Sequence, residues 1–134
     1  MIRELVIPKP IWVKMRRHAH RYAPLEACGL LAGRDGKVIF SQGIRSDARS
    51  PVRFTMNPKG QLRAFERMDE LGLELLGIYH SHPSGHRQPS ASDIQQALYP
   101  VVQVIWFRQD GKWQADGFWI ESRQVSRVRL QVAS

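Results

Sequence analysis

His80 and His82 stand two residues apart at the end of an apolar run, Leu75, Leu76 and Ile78. The run reads as a short buried strand. Residues i and i+2 of an extended chain point to one face, so the two imidazoles can meet at one point in space. Pro83 cannot continue a central strand, and the chain must turn there. Loop-forming residues follow, from Ser84 to Pro89. Ser90 then has the character of a helix N-cap, and Asp93 falls in the first helical turn. A carboxylate there can close back on the histidines. Two neutral imidazoles and one carboxylate form a three-ligand set, and catalytic zinc sites use such sets while leaving a fourth position for water. A His-x-His pair alone is more often a pair of surface residues. Pro83, Ser90 and Asp93 at these spacings single this one out.

The pattern His80-x-His82-Pro83-x6-Ser90-x2-Asp93 resembles the motif of the JAMM (MPN+) zinc metallopeptidases. That family also carries a glutamate far upstream, where a short apolar strand begins. Pro24-Leu25-Glu26-Ala27-Cys28-Gly29-Leu30-Leu31-Ala32-Gly33 is similar to that segment in the small prokaryotic members. The resemblance covers roughly residues 11 to 99, and the C-terminal third carries no motif. It implies one zinc per chain, held by His80, His82 and Asp93, with water as fourth ligand. It implies Glu26 as general base, since a carboxylate can take a proton and return it without being a ligand. Ser90 would donate to the oxyanion of the tetrahedral intermediate and cap its helix as well. The implied substrates are ubiquitin-like or sulfur-carrier proteins, cut after a C-terminal Gly-Gly. A Gly-Gly tail can be gripped as an added strand beside a sheet edge.

Composition narrows the alternatives. A chain of 134 residues with 43% hydrophobic content is expected to form one domain, residues 1–134, with a proper core. No apolar run reaches the ~18 residues of a membrane span, and the first residues lack a signal peptide's apolar region. A cytoplasmic protein is expected, with no membrane partner. The single cysteine, Cys28, excludes an internal disulfide, and its apolar setting favours an inert thiol. The formal charge of +8 is carried mainly by scattered arginines. No nucleic-acid motif accompanies them, so no nucleic-acid partner is expected. A basic surface can instead attract an acidic carrier. A non-catalytic binding module of the same fold typically loses ligands, which this chain retains. A zinc deaminase needs a Pro-Cys-x-x-Cys pair, which one cysteine cannot supply. The sequence leaves a homodimer open.

The elements that must position these residues follow from pattern. Glu4 to Ile7 reads as a short edge strand, and Ile11 to Tyr22 as a helix with Pro10 in its first turn. His18 and His20 face different directions on that helix and read as surface residues. Ala27 to Ala32 and Val38 to Ile44 make an antiparallel pair around Arg34-Asp35-Gly36-Lys37. Ser46 to Asn57 is a polar connection, either a recognition loop or a plain connector. Pro58 to Leu71 is a helix capped by Asn57, with Leu62, Phe65, Met68 and Leu71 as its apolar side. Glu74 to Ser81 delivers the histidines, and Ser90 to Leu98 is a third helix. Three strands follow: Val101 to Phe107, Trp113 to Glu121 and Val125 to Val132. Ser81 points away from the ligands and receives no role; His86 can reach the site; Asp47 and Asp116 have no visible partners. The expected class is α/β, a mixed central β-sheet flanked by helices. The resemblance implies the cytidine-deaminase-like layer of the JAMM/MPN fold.

Overall fold

The computed structural model describes residues 1–97 and 99–134. Strands β1 (Glu4–Pro8), β2 (Cys28–Arg34), β3 (Lys37–Ile44), β4 (Glu74–His82), β5 (Val102–Gln109), β6 (Lys112–Glu121) and β7 (Gln124–Ala133) form one mixed sheet. It is interleaved with helices α1 (Lys9–Tyr22), α2 (Pro58–Leu71) and α3 (Ala91–Gln95). The strand order is β1-β3-β2-β4-β5-β6-β7, and the sheet curls until β7 meets β1. The expected mixed sheet with helices is therefore present, closed into a barrel rather than left open.

Local chemistry accounts for the turns. Asp35 and Gly36 have φ of 53° and 73°, and Asp110 and Gly111 have 53° and 76°. Two successive positive φ values make the hairpin turn that matches strand twist. Ser122 and Arg123 make the same turn at 50° and 64° without a glycine to announce it. The Asn57 side chain accepts from the Gly60 N–H, and Gly72 ends α2 in the left-handed region, as the sequence signals require.

The two larger helices cover opposite faces of the sheet. On one face, Met15 and Ala19 of α1 pack with Leu5, Leu31, Tyr79 and Trp106. On the other, Ala64 and Met68 of α2 pack with Cys28, Leu30, Ile44 and Ile78. Ile78, His80 and His82 follow the period-two repeat of β4, so the imidazoles leave the strand on the side where Ile78 faces α2. Tyr79 turns the other way, toward α1.

Three expectations need correction, and two acids find partners the sequence did not reveal. β1 is not an edge: it pairs in parallel with β7 from Glu4↔Arg129 to Pro8↔Ala133, because the curl brings the last strand round to it. The buried side of α2 is Ala64 and Met68, while Leu62 is 59% exposed. A small alanine lets the helix approach the sheet closely, which a residue count of apolar spacing does not reveal. Helix α3 stops at Gln95, well short of Pro100; Leu98 lies outside the described residues. The acids also have partners. Asp116 lies 3.4 Å from Arg127 and 3.7 Å from Arg87, and Asp47 lies 3.0 Å from Arg45.

Candidate metal centre

The end of β4 and the start of α3 converge. His80 Nε2 lies 3.1 Å from His82 Nε2. Asp93 Oδ2 lies 3.2 Å from the first nitrogen and 3.1 Å from the second. The three atoms thus form a nearly equilateral triangle. A tetrahedral zinc with bonds of about 2.0–2.1 Å places its donors about 3.3–3.4 Å apart. The triangle matches that edge within a few tenths of an ångström. The donor chemistry matches as well, with two imidazoles and one carboxylate.

Each donor is held by its own local structure. Ser90 and Asp93 form a capping box. The Asp93 N–H donates to Ser90 Oγ at 3.1 Å, and the Ser90 N–H donates to Asp93 Oδ2 at 2.8 Å. His82 Nδ1–H donates to the His86 carbonyl at 2.8 Å, which leaves Nε2 with its lone pair toward the centre. His86 thus contributes its backbone carbonyl, and it also lines the cleft with its ring 5.7 Å from that of His82. Phe54 stacks on the His80 ring, with centroids 4.6 Å apart and planes at 28°. Burial pushes the His80 imidazole down, which favours the neutral form a ligand needs. Burial alone would raise Asp93, but its contacts with the His80 and His82 rings and the Ser90 N–H hold its carboxyl well below the usual range.

Glu26 lies beside this triangle. It offers a carboxylate oxygen within 4.8 Å of the His80 and His82 nitrogens. It is 3% exposed, and its Oε1 has no hydrogen-bond partner among the described residues. Burial raises its pKa to about 8 in the metal-free protein; the His82 charge opposes the rise and Asp93 adds to it. A buried carboxyl with an unused oxygen can accept and release a proton. The predicted residues Glu26, His80, His82, Ser90 and Asp93 are all brought to this place.

Two contributors were not foreseen. Ser81 Oγ accepts the Ala27 N–H at 2.8 Å, and the Ser81 N–H donates to the Ala27 carbonyl at 3.0 Å. Ser81 does point away from the ligands, and that direction is what lets it clamp the residue after Glu26. The connection 46–57 is the other. Ser50 accepts the Glu26 N–H at 2.9 Å, so the loop holds the proposed base from its second side. Pro51 and Val52 wall a cleft of ≈ 190 Å³ with Glu26, His82, Ser84 and Ser90. The sequence marks this connection as a candidate recognition loop, but nothing in it shows the hold on Glu26. His18 is a further correction. It is half-buried, with Nδ1 2.7 Å from the Tyr79 hydroxyl, rather than a free surface residue.

Comparison with known proteins agrees with this geometry. The sequence profile described as prokaryotic homologs of the JAB domain matches residues 8–121, extending well past the motif-bearing region. The chain is 34% identical over 111 residues to the desampylase of Pyrococcus furiosus, covering 81% of this chain and 76% of that protein. It is 38% identical over 110 residues to a probable TtuB-protein conjugate cleaving protease of Thermus thermophilus, covering 80% and 72%. It is 34% identical over 103 residues to the CysO-cysteine peptidase of Mycobacterium tuberculosis, covering 75% and 70%. A solution structure of a Desulfitobacterium hafniense protein superposes with a TM-score of 0.88 at 32% identity, covering 97% of this chain and 93% of that one. A JAB1/MPN domain protein from Archaeoglobus fulgidus shares the fold, with a TM-score of 0.59 at 19% identity over 98% of both chains. The chain belongs to the prokaryotic JAB-domain family, the small prokaryotic branch of the JAMM/MPN proteins.

Proposed function

We propose that this chain is a zinc-dependent metallopeptidase that hydrolyses the peptide or isopeptide bond after the C-terminal Gly-Gly of a ubiquitin-like or sulfur-carrier protein. The observation that carries the reading is the triangle of His80 Nε2, His82 Nε2 and Asp93 Oδ2, with the Glu26 carboxylate beside it. The relatives' names support the substrate class: one is called a TtuB-protein conjugate cleaving protease and another a CysO-cysteine peptidase.

His80, His82 and Asp93 are the proposed ligands, because their donor atoms lie closest together. When bound, zinc supplies a Lewis acid that polarises water and the scissile carbonyl. Glu26 takes a proton from the attacking water and returns it to the leaving amine or thiol. Its carboxyl is buried and its Oε1 has no other partner among the described residues, so it is free to take and return that proton. Ser90 Oγ accepts the Asp93 N–H and lies 3.2 Å from Ser92 Oγ; with Ser92 as the donor in that pair, the Ser90 O–H is left to donate to the developing oxyanion. Pro51 and Val52 line this small cleft of ≈ 190 Å³, which suits two residues without side chains. One domain of 134 residues carries the whole site.

The test is Glu26→Gln. Hydrolysis of a ubiquitin-like conjugate is expected to fall by at least the 10²–10⁴-fold typical of a lost general base, with one zinc per chain retained by metal analysis. Undiminished turnover in that variant rules out Glu26 as the base. His82→Ala is expected to lose zinc and turnover together, and unchanged zinc content contradicts the ligand assignment.

A further inference from the structure

Strand β3 has one unpaired side. Its full-length partner is β2, from Cys28↔Ile44 to Arg34↔Lys37. On the other side β1 meets it only at Val6↔Lys37, because β1 ends at Pro8 and the chain turns into α1. Beyond that point, no strand pairs with Ile39 to Ile44 among the described residues. The carbonyls confirm which way the edge faces. Ser41 accepts from Lys14 Nζ at 3.2 Å, and Gly43 accepts from Gln42 Nε2 at 3.3 Å. Ser41 and Gly43 alternate along the strand and so direct N–H and C=O groups the same way, while the register shift between Ala32↔Phe40 and Gly33↔Val38 takes Ile39 out of that alternation.

A groove runs along each face of this edge, and the two share Gln42, Gly43, Ile44 and Arg45. The one beside α1 is ≈ 420 Å³ and carries Lys14, Arg17 and Arg21. The one beside α2 is ≈ 720 Å³ and carries Lys59, Arg63 and Arg67. Neither is lined by an acidic residue. Arg45 pairs with Asp47 and Arg67 with Glu70. Arg17, Arg21, Lys59 and Arg63 have no carboxylate within 4 Å among the described residues.

We propose that the open edge of β3, with its two flanking grooves, binds an extended acidic segment of a partner protein by strand addition. An added strand sends successive side chains to opposite faces. Here both faces present cations, so acidic side chains are favoured in both registers. Lys14 covers the Ser41 carbonyl in the free protein, as a lysine guards an edge against a second copy. A carboxylate on an arriving strand gives its ammonium a charged partner and exposes the carbonyl for backbone pairing. Nucleic acid suits the charge but not the edge, since a phosphodiester only accepts hydrogen bonds and the edge also needs an acceptor and donor in alternation. A second copy of the chain would set the same cations against each other. The inference does not rest on the hydrolytic reading, because it can be read as binding by the zinc-free protein.

The probe is a fluorescein-labelled nonapeptide of glutamates and valines, measured by anisotropy against its lysine-for-glutamate counterpart. Binding of the acidic peptide alone is expected. It should weaken with salt, and at least about tenfold in Arg17→Glu/Arg21→Glu and in Arg63→Glu, a step of 1.4 kcal/mol. Two peptides N-methylated at alternate residues separate strand addition from simple charge attraction. One should lose binding and the other keep it. Amide shifts of Ser41 and Gly43 on titration supply a reading that needs no variant. Equal binding of both methylated peptides overturns the proposal. So does tighter binding of a single-stranded oligonucleotide, or shifts at those amides on raising protein concentration alone.

Discussion

Ser81→Ala tests whether the clamp behind the ligand strand matters to the site in front of it. The variant removes the oxygen that accepts the Ala27 N–H at 2.8 Å. Ser81 and Ala27 are each 1% exposed, so water cannot replace the lost acceptor. A buried donor left without a partner costs about 1–3 kcal/mol, and about 2 is the central expectation here. Unfolding entropy near 2.1 cal/mol/K per residue gives about 0.28 kcal/mol/K for 134 residues. The melting temperature is then expected to fall by about 7 °C. Ala27 follows Glu26 directly, so loosening it frees the carboxylate to shift. A misplacement of about 1 Å costs up to a hundredfold in turnover. Calorimetry reads the first effect, conjugate cleavage the second, and metal analysis should show zinc unchanged. Hydrogen exchange at the Ala27 amide should quicken. An unshifted melting temperature with unchanged Ala27 protection refutes the clamp; lost stability with full turnover refutes its link to Glu26.

Chelation should lower the melting temperature, because metal bound a thousandfold above its dissociation constant adds about 4 kcal/mol to the folded state. Asp93→Ala should erase the difference between chelated and zinc-loaded protein, and a persisting difference points to other ligands. In the chelated protein, stability should decline as pH rises from about 4.5 toward 8, since the unfolded Glu26 ionises first while the buried one keeps its proton to about 8. Glu26→Gln should flatten that slope in urea titrations, and an unaltered slope assigns it to another group. Cys28 is buried and its thiol is pushed up to about 12 by burial, so a disulfide reagent at pH 8 should react only after unfolding. Gly29→Ala should cost about 1–3 kcal/mol or more in denaturant titrations, for its Cβ would sit 2.2 Å from the Tyr79 ring and 2.6 Å from the Gln42 carbonyl.

What could be read from the sequence was what depends on short spacing. The two-residue repeat of His80 and His82 and the Ser90–Asp93 cap are set within a turn or a strand. The Asp35-Gly36 and Asp110-Gly111 turns are equally local. What depends on distant pairing could not be read. Ser81 faces Ala27 only because β2 and β4 pair with Cys28 opposite His80. The hydrogen bond from Glu26 to Ser50 and the stacking of Phe54 on His80 depend on how the 46–57 connection folds back. His18 carried a fainter signal. It lies three residues after Met15 and four before Tyr22, on the packed side of α1, yet its neighbour His20 obscured that.

The parallel pairing of β1 with β7 also sets when this domain can finish folding. Leu5 and Leu130 are partners across about 125 residues of intervening chain. Bringing such distant segments together costs about 4 kcal/mol of loop entropy. During synthesis the first strand must wait for its longest pairing partner until the chain has been made through β7. β7 is thus the latch on the barrel, and its synthesis times the closing.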